Sequence, residues 1–267
     1  MKEFYFLGKN IYYRINAFKA TKLTLVFVHG LSGSSSAWVK YEKELKKSFN
    51  ILTFDLRGHG KSKKIKDYEA YKIESLAKDL FDLTEFLKIK KFILISHSLG
   101  CFVALAFLMK HQNKVLKAAF LSPNFSTKGM LSAKIMRPLL ATGVYLFKYL
   151  PFPEKVHRHI DYSKYPNGGD WNIPRSIADV RNTSLPVYVY TTKQTYDFDA
   201  EDFLGKINIP ILIIHGKKDT VFPVERGIMM AKKIKGSKLV ILEDANHIIV
   251  LNKSEEVLKE IKKFVIS

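Results

Sequence analysis

Three polar residues, far apart in the 267-residue sequence, are of the types and in the settings that nucleophilic catalysis requires. Ser98 is the centre of Ser96-His97-Ser98-Leu99-Gly100, which follows the apolar run Phe92 to Ile95 directly and opens into the helical-looking CFVALAFLMK. A small-x-Ser-x-Gly turn between strand and helix is a nucleophile elbow: the flanking small residues let the turn pack tightly and hold the central serine exposed at the helix N-terminus. A serine hydroxyl attacks poorly unless a base takes its proton and an acid orients that base. His247, just past the run LVIL, offers the imidazole, and Asp219, just past ILII, offers the carboxylate; Asp244 is the competing acid. Backbone donors must also face the developing oxyanion. The N–H of Leu99 is one candidate, and the N–H of Leu31, in the glycine turn His29-Gly30-Leu31-Ser32-Gly33 after LTLVFV, is the other.

The elements that would position these groups follow from hydropathy patterning. The first fifteen residues read as a hairpin, FYFL and IYYRI flanking Gly8-Lys9-Asn10. Short, continuously apolar runs recur at residues 23–28, 51–54, 92–95, 118–121, 211–214 and 239–242, which suits strands of a mostly parallel sheet covered on both faces. Between them lie helical stripes, Ile73 to Leu87 and Val257 to Val265, the latter opened by Asn252 and Glu255 as a capping box. Alternating strands and helices predict an α/β sheet whose ligands bind beyond the carboxyl ends of the strands. Ser98, Asp219 and His247 all emerge at that edge.

The alternation lapses between Pro123 and Pro210, where an apolar, helical stretch (Met130 to Leu150) precedes PFP, the turn-rich Tyr165 to Asp170, and Trp171 to Tyr190. This predicts a core domain of residues 1–122 and 210–267 with an inserted helical lid at 123–209, roofing the site. Phe92 to Met109 approaches the length of a membrane span, but Ser96, His97, Ser98 and Gly100 interrupt its middle, so no integral membrane segment is expected.

On His29-Gly30, Asp55-Leu-Arg-Gly-His-Gly-Lys-Ser62, the elbow at Ser98, Asp219 and His247, in that order, the chain resembles the α/β-hydrolase superfamily. The likeness is to its compact, lidded members, which include small carboxylesterases, lactonases and C–C bond hydrolases. It runs over nearly the whole chain, the lid matching in position alone. Ser96 replaces the usual first glycine of the elbow and Cys101 a frequent second one, and both are small enough to pack. Some members take their acid after the strand that here reads AAFL, but Ser122-Pro123-Asn124 carries no carboxylate. A serine at position 98 argues against the Asp-nucleophile chemistry of haloalkane dehalogenases and epoxide hydrolases.

The resemblance implies a serine hydrolase cleaving carboxylic esters of small to medium, fairly apolar molecules, with Ser98, His247 and Asp219 catalytic and the Leu31 and Leu99 N–H groups as oxyanion hole. Lactone opening or hydrolytic C–C cleavage is the runner-up, and a non-catalytic binding module on the same scaffold is the alternative from another class. No metal or organic cofactor is required.

The remaining motifs read as structure. Gly60-Lys61-Ser62 lacks the glycine five residues earlier that a phosphate loop needs, Asp55 standing there instead. His157 and His159 share a face only if extended, and no metal site is expected. His97 is read as touching the lid or a neighbouring helix, and Cys101 as a small hydrophobe. The net charge of +19 invites nucleic acid or an anionic membrane as partner. It is mostly Lys (37, against 7 Arg), and residues 124–209 hold eleven Lys and Arg against eight Asp and Glu, so the excess is not gathered at the site entrance. Nor do aromatic and basic residues interleave, so a solvated Lys-rich surface is expected, without nucleic acid, peripheral membrane contact being a lesser option. A single cysteine and an N-terminus unlike a signal peptide suit a reducing cytoplasm. The oligomeric state is left open.

Overall fold

In the computed structural model, which describes residues 1–156, 158–165 and 168–267, the apolar runs assemble into one eight-stranded sheet of order β1-β2-β4-β3-β5-β6-β7-β8. His157, one of the weighed histidine pair, and Pro166 and Asn167 of the turn-rich stretch lie outside the described residues. β1 (Lys2–Phe6) and β2 (Ile11–Ile15) form the expected antiparallel hairpin, its turn closed by Asn10 at φ 51°. β2 meets β4 antiparallel; β3 (Thr24–Val28), β4 (Asn50–Phe54), β5 (Phe92–His97), β6 (Val115–Leu121), β7 (Ile211–Gly216) and β8 (Lys238–Leu242) run parallel.

Alternate side chains of the parallel strands feed two cores, which is why their sequences lack polar alternation. Leu25, Phe27, Ile93 and Ile95 face one core, and Val26, Val28, Phe92 and Leu94 the other. α1 (Val39–Leu45) and α9 (Ser254–Ile266) cover the first; α2 (Ile73–Phe86), α3 (Leu99–His111) and α7 (Val224–Lys233) cover the second. Leu76, Leu80 and Leu83 of α2 are fully buried, each contributing about 1.5–3 kcal/mol before conformational entropy is counted. β8 departs from the expected fully buried run because it is the sheet's edge, paired on one side only, and Ile241 is exposed.

The capping box expected at Asn252 does not form. Asn252 closes the short α8 (Ile249–Asn252), and its amide donates to Gly168 and Asn246 instead. α9 starts at Ser254, without a side-chain cap on Lys253.

Between β6 and β7 the chain leaves the sheet and adds α4 (Leu131–Phe147), α5 (Ile173–Thr183) and α6 (Leu185–Asp197). Its neck is closed by a bridge between Ser126 and Asp199, and by Arg226 of α7, which lies over the Phe125 ring and donates to Asn124 Oδ1. α4 buries only Ala133, Leu140 and Val144; Leu131, Ile135, Leu139 and Leu146 face outward. Among the described residues, no helix is long and apolar enough to cross a membrane.

Candidate active site

β5 ends in the turn that carries Ser98, whose backbone sits at φ 52°, ψ −117°, a conformation a non-glycine residue adopts at a cost of order 1–3 kcal/mol. The turn is pinned: the Ser98 N–H donates to Leu121 O (3.0 Å), and Cys101 N–H to Ser98 O (2.8 Å). Gly100 lets α3 close on β3, since a Cβ there would stand 2.5 Å from the Val28 carbonyl oxygen. Gly30 is needed for the same reason, its missing Cβ falling 2.9 Å from His97 Nδ1. Ser96 fills the first small position without strain, its Oγ within 3.4 Å of Ala119 O. Burial pushes the Cys101 thiol up to about 12, which suits its reading as a small hydrophobe.

The loops after β7 and β8 bring the other two residues to the same edge. His247 Nε2 lies 2.7 Å from Ser98 Oγ, and His247 Nδ1 lies 2.8 Å from Asp219 Oδ2. Asp219 is held in turn: the Val221 and Phe222 N–H groups donate to its Oδ1 at 2.9 and 2.8 Å, and His215 Nε2 stands 3.1 Å from its Oδ2. Burial alone would raise its pKa, but these hydrogen bonds from His215, His247 and Phe222 outweigh it and hold the carboxyl well below the usual carboxylate range. The competing Asp244 points to solvent and pairs with Lys218.

Leu99 directly follows the serine, and the turn that carries Leu31 packs against it at Gly30, where a Cβ would fall 3.2 Å from Ser98 Cβ. Leu99 is the first residue of α3, where a backbone N–H has no intrahelical acceptor. Leu31 lies in a turn closed by Gly33 N–H to Gly30 O, with Ser32 at φ 55°. Beneath that turn His29 is locked as one tautomer, Nδ1–H donating to Gly30 O (2.7 Å) and Nε2 accepting from Leu56 N–H (2.9 Å). His97 lies against Gly30 and donates Nε2–H to the His247 carbonyl (2.9 Å), so its hydrogen bond runs to the His247 loop. Burial and the neighbouring His247 push its pKa down to about 3, so it is a neutral prop.

The segment Asp55 to Ser62 builds a floor. Asp55 is wholly buried and accepts from Ser35 N–H, Lys61 N–H and His159 Nε2, each at 2.7 Å. Burial opposes its charge, yet the His159 bond and the surrounding imidazoles win and bring it to about 2. Gly60, at φ 51°, would drive a Cβ to 2.2 Å from Asp55 Oδ2, so Gly60-Lys61-Ser62 is a structural turn.

The insertion bonds to loops around this site, and several of its residues escaped the sequence reading. Thr183 Oγ donates to Ser32 O (3.2 Å), and Tyr162 donates to the buried Asp179 (3.0 Å), whose pKa burial lifts to about 7. Asp170 accepts the His247 backbone N–H at 2.7 Å. Ser98 and His247 are left only 7% and 4% exposed. A serine, an imidazole and an ionised carboxylate, linked in a row and largely buried, can activate the serine hydroxyl as a nucleophile.

The sequence profile of the α/β-hydrolase fold matches residues 24–254. The chain belongs to the α/β-hydrolase family. This hydrolase is 28% identical to a proline iminopeptidase of Saccharolobus solfataricus, over 97% of its own length and 89% of that relative's. It is 24% identical to the monoacylglycerol lipase ABHD6 of Bos taurus, over 92% of its own length and 76% of the relative's. In three dimensions it resembles MGS-M2, an α/β-hydrolase enzyme from a Medee basin deep-sea metagenome library, with a TM-score of 0.79 at 21% identity, covering 100% of this chain and 98% of that one. The match extends through the insertion in each case, so the insertion is part of the shared architecture.

Proposed function

We propose that this α/β hydrolase is a serine esterase, cleaving carboxylic esters of small to medium, fairly apolar substrates through an acyl-enzyme. Ser98 Oγ attacks the ester carbonyl while His247 Nε2 takes its proton. Asp219 keeps the imidazole in the tautomer with its proton on Nδ1 and stabilises the imidazolium that forms. The Leu31 and Leu99 N–H groups receive the oxyanion, each worth about a hundredfold or more in rate. His247 then protonates the leaving alcohol, water enters, and deacylation returns the serine. The residues 123–209 act as a lid over this chemistry. The observation that carries the reading is the 2.7 and 2.8 Å relay from Ser98 through His247 to Asp219. Apolar groups across the insertion, and the lipase among the relatives, favour an apolar ester.

A second reading, release of an N-terminal proline, is favoured by the names of several relatives and by the buried carboxylate of Asp179 close to the Ser32–Gly33 turn. It is the weaker of the two because Asp179, lifted to about 7 and engaged by Tyr162, is a poor receiver for a substrate ammonium. The test is a panel of p-nitrophenyl esters of rising acyl length beside proline p-nitroanilide, on the wild type and Ser98→Ala. The expected outcome is turnover of short to medium esters, abolished in S98A. Turnover of the anilide alone would replace the esterase reading, and turnover of neither would count against both.

A further inference from the structure

One carboxylate outside the relay bonds to both of the loops that carry it. Asp170 sits in the insertion, 77 residues before His247 and 50 before Thr220. Its Oδ1 accepts the backbone N–H of His247 at 2.7 Å; its Oδ2 accepts the backbone N–H and the hydroxyl of Thr220 at 2.9 and 2.8 Å. Thr220 directly follows Asp219. Trp171 Nε1 completes the Thr220 hydroxyl by donating to it at 3.1 Å, and the neighbouring Gly168 carbonyl accepts from Asn246 and Asn252 at 3.1 and 2.7 Å. At their roots the two loops are joined by Lys218 N–H to Ala245 O (2.8 Å). Asp170 joins them again, through its own carboxylate.

We infer that Asp170 is a positioning residue that fixes the separation of His247 and Asp219 from the insertion. Three donors converge on two oxygens, which only an acceptor-only group satisfies; an asparagine would turn an NH₂ toward at least one of them. The bonds are to the main chain of His247 itself and of the residue beside Asp219, so the carboxylate sets where the imidazole and acid stand without touching substrate. A misplacement of about 1 Å at such a relay costs on the order of a hundredfold in rate. Within the core the His247 loop is held at its root by Lys218 N–H to Ala245 O and by His97 Nε2–H to the His247 carbonyl, and the bonds from Asp170 add a hold from the insertion.

This inference rests on the esterase reading of Ser98, and the experiment separates the two. Labelling by a fluorophosphonate, which reports an activated serine whatever the natural substrate, is followed in wild type, Asp170→Ala and Asp170→Asn, with p-nitrophenyl butyrate kinetics alongside. Asp170→Ala is expected to label at least about tenfold more slowly and to lose kcat by a similar factor with KM within about twofold, because the loss falls on the relay and not on binding. Added formate, which can enter the space left by the side chain and accept the same three donors, restores part of kcat in Asp170→Ala and none in wild type. Asp170→Asn, which keeps the size of the side chain, falls between the two. Wild-type and Asp170→Ala labelling at equal rates overturns the inference and leaves the esterase reading intact. So does a rise in KM at constant kcat without formate rescue, the signature of a plain anchor for the insertion. A wild type that does not label removes both.

Discussion

We assign Asp219 as the acid from what each carboxylate accepts. Asp219 receives two backbone N–H groups and two imidazoles in a buried site, an environment that keeps it ionised and fixed; Asp244 makes one solvent-exposed pair with Lys218, the kind of bridge worth about 0–1 kcal/mol. Replacing Asp219 by Asn leaves the shape but removes the acceptor that selects the His247 tautomer, so kcat on p-nitrophenyl esters is expected to fall by about 10³–10⁴-fold. Asp244→Asn should stay within about twofold of wild type, since its loss touches only a surface pair. Loss of activity in Asp244→Asn alone would reverse the assignment. That Ser98, Asp219 and His247 share one edge of the sheet was legible in the sequence because each lies within five residues of the end of an apolar strand. Asp170 and His159 were not. Their partners lie 77 and 104 residues away across irregular chain, where no periodicity marks a contact. The bond from His97 to the His247 loop was not legible either, because the direction of the elbow's variable side chain over Gly30 is set by the turn's backbone and not by spacing.

At the scale of elements, the turn joining β5 to α3 works only because α3 can approach β3 closely. Gly100 stands where a Cβ would press on both Val28 O (2.5 Å) and His29 O (2.8 Å), and backbone oxygens of a central strand cannot yield. Gly100→Ala is therefore expected to destabilise by about 1–3 kcal/mol and to tilt the start of α3. Because Leu99 N–H belongs to that start, kcat should fall together with the melting temperature. A variant with unchanged melting temperature and activity would show that the approach is not needed. The strands and the stripe of α2 could be read from hydropathy because burial on both faces, or on one, leaves a direct trace in composition. The capping box at Asn252 and Glu255 could not be judged that way: the motif was present, but the Asn252 amide is spent on Gly168 and Asn246, and α9 begins uncapped at Ser254.

Across the whole molecule, the polar contacts that tie the insertion to the core include His159 to Asp55, Thr183 to Ser32, Gly168 to Asn246 and Asn252, and Asp170 to the His247 and Thr220 loops. Its cost is visible at Asp179. The folded protein keeps this carboxyl protonated up to about pH 7, whereas an unfolded chain releases the proton near its ordinary 3.8. Across that window the folded state holds the extra proton, so this group's contribution to stability is full below pH 3.8 and is lost as the pH rises through about 7. Asp179→Asn, which stays neutral, should remove that loss: its melting temperature relative to wild type is expected to be higher at pH 8 than at pH 5. Identical pH dependence in the two proteins would show that Asp179 ionises freely. A polar insertion contact of this kind leaves no mark in hydropathy, which is why the sequence located the insertion by its lapse of pattern but not by how it is held.

The proposed chemistry begins at one oxygen atom, Ser98 Oγ, and its reactivity can be measured directly. Wild type treated with a fluorophosphonate at neutral pH and digested should carry the phosphonyl group on Ser98 alone, with labelling abolished in Ser98→Ala and slowed by at least about a hundredfold in His247→Ala, where the base is gone. An unmodified Ser98, or an adduct on another residue with His247→Ala reacting as fast as wild type, would contradict the account.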